Sequence, residues 1–117
     1  GAQFLVTVSN DGWFGKSDAP YQHFSIAIMR AVENRRFLLR ATSTGVSGII
    51  DPFGRVLKKI DIGKIEFSIE DIYPIDEKTF YSNYGDIFAQ SCLTISSILF
   101  ILSLWRRYGI RRGKKRA

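Results

Sequence analysis

The residues Ile87 to Trp105, IFAQSCLTISSILFILSLW, carry no charge over 19 positions. That run constrains the chain more than any other feature. As a helix it would measure roughly 28 Å, close to the hydrocarbon thickness of a bilayer. A buried core helix of that length would normally show one charged face, so the reading is a transmembrane helix at 86–105. Trp105 sits at its end, where an indole favours the headgroup region. Tyr81 and Tyr84 lie just before it and suit the opposite interface. Gln90, Ser91, Thr94, Ser96 and Ser97 make one half less apolar and suit contacts between helices. Cys92 falls inside the run, where lipid surroundings disfavour a thiolate, so it is taken as a filler.

Directly after the span comes a basic tail, 106–117. It holds Arg106, Arg107, Arg111, Arg112, Lys114, Lys115 and Arg116, and no acidic residue. Removing those seven charges from the formal net charge of +6 leaves the first 105 residues at −1. The chain is therefore a nearly neutral body with a basic end, unlike a nucleic-acid-binding domain with basic residues spread over a folded face. Flanking Lys and Arg place the tail in the cytoplasm and the body outside it. A single cysteine excludes an internal disulfide, and with one histidine it also excludes a Cys- or His-rich metal site. No signal peptide is visible. The chain begins at Gly1 and its first residues already have strand character, so an upstream portion is expected.

The body, 1–85, is predicted as a mixed α/β layer. Phe4 to Val8 is a short apolar strand, and Ser9 to Gly15 (SNDGWFG) is a turn. Pro20 suits a first helical turn, with Ser17 or Asp18 as cap. From Tyr21 to Arg36, Phe24, Ala27, Ile28, Ala31 and Val32 recur at helical spacing as a buried face. Arg30, Arg35 and Arg36 would then suit the negative end of that helix. Phe37 to Ala41 and Val46 to Asp51 are further strands. Asp51-Pro52-Phe53-Gly54 is a hairpin turn answered by a strand at Arg55 to Ile60. Ile65 to Ile72 alternates and predicts a fifth strand with one face buried. About 85 residues is marginal for an independent core, so the sheet is expected to complete a larger one.

These residues carry a recognisable pattern: SNDGWFG after a strand, Gln22-His23, then Met29-Arg30-Ala31-Val32-Glu33-Asn34, Leu39-Arg40-Ala41-Thr42, Thr44-Gly45 and Asp51-Pro52-Phe53-Gly54-Arg55. The chain resembles the C-terminal part of the apolipoprotein N-acyltransferases, a membrane branch of the nitrilase (carbon–nitrogen hydrolase) superfamily. The resemblance covers nearly the whole chain. It implies the C-terminal part of an α-β-β-α sandwich followed by one transmembrane helix, in a bacterial inner membrane with a periplasmic body. It implies acyl transfer from a phospholipid donor to the N-terminal amine of a diacylglyceryl-cysteine lipoprotein, through a thioester on a Glu–Lys–Cys triad and without a cofactor. The family's triad lies upstream of SNDGWFG, and Lys16, Glu33 and Cys92 do not match it. No catalytic residue is carried over. The implied partners are membrane lipid, the two substrates, and the upstream part of the same enzyme.

Among the residues present, Trp13, Phe14, Asn10 and Asp11 are candidates for substrate contact, because the loop they form ends a sheet strand. Turn chemistry alone is the competing account of Asn10 and Asp11. Arg30, Glu33, Asn34 and Gly45 are assigned structural roles, with Arg30 or Arg36 as the expected partner of Glu33. His23, in the first turn of a helix, is also taken as structural rather than as an acid–base group. Two other functions compete. One is a different membrane-tethered nitrilase-type amidase, and the other is a non-enzymatic single-span protein whose head binds a partner.

Overall fold

A computed structural model describes the backbone of residues 1–113 and the side chains up to Arg107. Two compact units emerge, Gly1–Asn83 and the part from Tyr84 onward.

In the first unit, β1 (Leu5–Ser9) leads through a one-turn 3-10 helix (Gly12–Phe14) into α1 (Ala19–Asn34). The chain returns as β2 (Leu38–Thr42), parallel to β1, with Leu5 opposite Leu38 and Thr7 opposite Arg40. β3 (Ser47–Ile50) and β4 (Val56–Ile60) follow as antiparallel neighbours, giving the order β1-β2-β3-β4. The β3–β4 turn closes with Gly54 N–H on the Asp51 carbonyl at 3.0 Å. Gly54 there has φ +84°, a backbone conformation that favours glycine. The Asp51 carboxylate also accepts the backbone N–H groups of Phe53 and Arg55, each at 2.8 Å, so the turn is specified by its first residue.

α1 covers one face of the sheet. Phe24, Ala27 and Ala31 pack with Leu38, Val46 and Ile50 as the core, and Leu5 and Ile28 close its margin. Gly48 allows this approach, since a Cβ there would lie 3.2 Å from the Phe24 ring and 2.7 Å from the Lys58 carbonyl. Val32, expected on the buried face, is exposed instead, because it lies beside the β3–β4 turn near Gly54 and not over the sheet. The helix ends at Arg35, which takes a left-handed conformation (φ 53°, ψ 49°). Only Arg30 of the three expected arginines therefore lies in the helix. Arg36 turns away and donates to the carbonyls of Ala2 (2.8 Å) and Glu77 (2.7 Å).

The predicted fifth strand is absent: Ile65 to Ile72 makes no ladder, and Ile65, Phe67 and Ile69 are exposed. Alternation makes a strand only where a sheet edge pairs with it and a layer covers its apolar side. Neither is present among the described residues. On the sheet face away from α1, Val6, Val8, Leu39, Ala41 and Ile49 line a groove of about 900 Å³, and β1 leaves Val6 and Val8 exposed. The result is one sheet with one helix layer, a mixed α/β arrangement.

A short helix, α2 (Phe80–Tyr84), precedes α3 (Ile87–Gly113). From Ile87 to Arg107 α3 is long and apolar enough to cross a membrane, with mean hydropathy 2.0 and none of that stretch buried. The helix runs past the expected end at Trp105, so part of the basic tail continues it. Residues 114–117 lie outside the described residues.

Candidate functional site

The SNDGWFG segment forms at the C-terminal ends of two parallel strands, and its side chains take different directions. Asp11 turns inward, Asn10 is exposed and bonds along the surface, and Trp13 and Phe14 turn outward. The Asn10 Oδ1 accepts the Gly12 N–H at 3.1 Å and the Thr44 hydroxyl at 2.6 Å. It thereby ties the loop after β1 to the bend after β2. Phe14 N–H donates to the Asp11 carbonyl at 3.1 Å, and the Ser17 hydroxyl donates to the Phe14 carbonyl at 2.7 Å. Asp18 occupies the N-cap position of α1 without a side-chain bond, and Pro follows in the first turn.

Asp11 is only 2% exposed. One of its oxygens faces the Ser9 hydroxyl at 2.8 Å and the His23 Nδ1 at 2.9 Å, and the other accepts Arg40 Nη2 at 2.9 Å. Arg40 is 4% exposed and also donates from Nε to the Val46 carbonyl at 3.2 Å. Burial alone would push the Asp11 carboxyl up. The hydrogen bonds from Ser9 and His23 and the charge of Arg40 outweigh it and hold the carboxyl below the usual range. His23 Nδ1 also stands 3.1 Å from Arg40 Nη2, so the imidazole caps the ion pair. Its ring meets Phe14 edge to face at 6.1 Å between centroids.

Gly45 completes the enclosure. A Cβ at that position would overlap the Asp11 carboxylate, standing 2.7 Å from its Cγ. The outward set is bare: Trp13 is 92% exposed and Phe14 44%. A large indole held in solvent at the end of a sheet is an apolar contact without a partner in this unit.

Arg30, Glu33 and Asn34 gather at the other end of α1. Arg30 Nη1 donates to Glu33 at 2.8 Å and reaches the Tyr81 hydroxyl at 3.5 Å. The Thr79 hydroxyl donates to the Glu33 carbonyl, and Ser82 to the Asn34 amide oxygen at 3.4 Å. These contacts hold Thr79 and the first turn of α2 against α1. Tyr84 and Trp105 flank the apolar part of α3 in the second unit, and both are exposed. Cys92 is exposed on that helix.

Arg40 is the residue that sequence reasoning passed over. The signal was available: an arginine inside an apolar strand, LLRAT, at the parity shared with Leu38, points toward the helix and needs a buried anion. Ser9 and Thr44, the hydroxyl partners of Asp11 and Asn10, carried no such signal.

The family description for carbon-nitrogen hydrolases matches residues 1–75. The chain is 43% identical over 105 residues to an apolipoprotein N-acyltransferase of Rickettsia bellii, covering 88% of this chain and 20% of that protein. It is 37% identical to that of Geobacter metallireducens (92% of this chain, 20% of that protein) and 38% identical to that of Pseudomonas paraeruginosa (94% and 20%). It thus spans about 20% of the length of the curated relatives it matches. With that match running through the whole β1–α1–β2 unit and its SNDGWFG loop, the chain belongs to the carbon–nitrogen hydrolase family.

Proposed function

We propose that this chain forms the C-terminal wall and membrane anchor of an apolipoprotein N-acyltransferase of a bacterial inner membrane. One observation carries the reading: the matches to such enzymes cover 88–94% of this chain, so they take in the apolar helix as well as the α/β body. In this reading α3 crosses the bilayer, its basic end lies in the cytoplasm, and the body is periplasmic. Trp13 and Phe14 meet the acyl chain of the phospholipid donor or of the lipoprotein substrate. Asn10 shapes the rim, and Asp11 holds the loop from beneath. The apolar sheet face with Val6 and Val8 takes the second sheet of a sandwich. The thioester-forming Glu–Lys–Cys triad belongs to the upstream part of the enzyme, and this chain alone does not turn over.

A chimera tests this. The matching C-terminal segment of the Pseudomonas enzyme is replaced by this chain, and N-acylation of a lipoprotein is read by mass spectrometry in cells depleted of their own enzyme. Acylation is expected. A chimera that accumulates in the membrane yet leaves the lipoprotein amine free refutes the reading.

A further inference from the structure

Trp13 stands almost fully in solvent, yet the loop that carries it is anchored to the most deeply buried polar cluster in the unit. The backbone joins them through Asp11, whose carbonyl accepts the Phe14 N–H, and among the described residues one side chain from outside the loop also bridges them. His23 is joined to the Asp11 carboxylate through Nδ1 and touches Phe14, the neighbour of Trp13, through its ring. Asn10 and Ser17 brace the loop backbone, but neither touches an aromatic ring of it in these contacts.

We propose that His23 is the positioning residue of the Trp13–Phe14 loop, transmitting the fixed place of the Asp11–Arg40 pair to the Phe14 ring and so to the loop that carries the exposed indole. The Nδ1 atom faces an acceptor at 2.9 Å and a donor at 3.1 Å, and it cannot satisfy both in one neutral tautomer. The carboxylate decides between them. Its negative charge favours a proton on Nδ1, and Arg40 keeps its own bonds to Asp11 and Val46. The imidazole is then locked in one orientation, and its edge-to-face contact sets the Phe14 ring. The charged groups around His23 are Asp11 from the loop, Arg40 from β2, and Arg30 further along α1 in the same shallow pocket. What the indole touches rests on the acyltransferase reading; the coupling itself does not.

The test uses the full chain in detergent micelles. Nitrogen-15 relaxation of the Trp13 and Phe14 backbone N–H groups reports the order of the loop, and the imidazole nitrogen shifts report the tautomer. His23→Asn is the decisive variant. It keeps a donor at the Nδ1 position for Asp11 and removes the ring. The expected result is a loop order parameter falling from about 0.8 to below about 0.6, with amide protection in β1 and β2 unchanged. His23→Phe, which keeps a ring and loses the donor, is expected to loosen the loop as well. A proton found on Nε2 alone, or loop order unchanged in His23→Asn, overturns the proposal. Neither readout involves an acyl substrate. A silent chimera with a loosened loop sinks the acyltransferase reading alone, and an active chimera with an unmoved loop sinks this one alone.

Discussion

Replacing Asp11 by Asn removes one charge and almost no volume, so it isolates the electrostatic part of the cluster. The amide retains a single acceptor oxygen for the groups that the carboxylate satisfied, Ser9, His23 and Arg40. The guanidinium is then left with its Val46 carbonyl bond and, at best, a neutral partner, in a place that is nearly inaccessible to water. Breaking one side of a buried pair typically costs about 3–5 kcal/mol. His23 is partly exposed and the Ser9 hydroxyl can rotate, so the lower end applies: about 3 kcal/mol, or more than about 100-fold in the folding equilibrium. Urea unfolding followed by the backbone amide signals of β1 and β2 measures it. The pH dependence adds a second check. The Asp11 carboxyl is held low in the folded state, so between its folded and unfolded values the unfolded chain binds more protons. Its stabilisation is therefore complete above the unfolded value of about 3.9 and disappears as pH falls through the folded value. The difference between wild type and Asp11→Asn should shrink across that window. Asp51, also held low by its turn bonds against the opposing effect of burial, keeps a residual acid dependence in both proteins. A loss under about 1 kcal/mol at neutral pH, with identical acid limbs, would refute the reasoning.

Gly45→Ala forces a methyl group against the Asp11 carboxylate and should cost about 2 kcal/mol. Combined with Asp11→Asn the two losses should fall short of their sum, since they share one group; strict additivity in urea midpoints would argue against the contact. Phe24→Ala empties the space between α1 and Gly48 and should cost about 3–5 kcal/mol, enough to abolish cooperative unfolding in a unit this small. Arg35→Gly should be nearly neutral, within about 0.5 kcal/mol by thermal melting. It relieves a left-handed residue worth about 1 kcal/mol and loses a guanidinium 4.9 Å from the Phe53 ring, worth about 0.5–1. Leu99→Arg places a charge near the middle of the apolar stretch of α3 and should cost about 2.5–3.5 kcal/mol of insertion. A glycosylation-mapped insertion assay reads that change, and an unchanged inserted fraction would remove α3 from the bilayer.

Sequence by itself determined what local chemistry determines. An uncharged run of that length is helical and apolar wherever it lies, and α3 follows it, continuing past Trp105 because the arginines beyond are good helix formers. Helical spacing gave α1, and Asp51 with Gly54 gave the β3–β4 turn, since each needs only neighbours within a few residues. The family too was legible, because its motif is local. What the tertiary structure decided depended on groups far apart in the chain. Ile65 to Ile72 has a strand's pattern but no ladder, because pairing and cover come from elsewhere. Asp11, Arg40 and His23 became one cluster only when the parallel pairing of β1 with β2 set Thr7 beside Arg40 and carried α1 across the strand ends. Charge makes that meeting energetically obligatory, since neither Asp11 nor Arg40 could be buried alone, but only the fold's register chooses which anion and which cation are buried together.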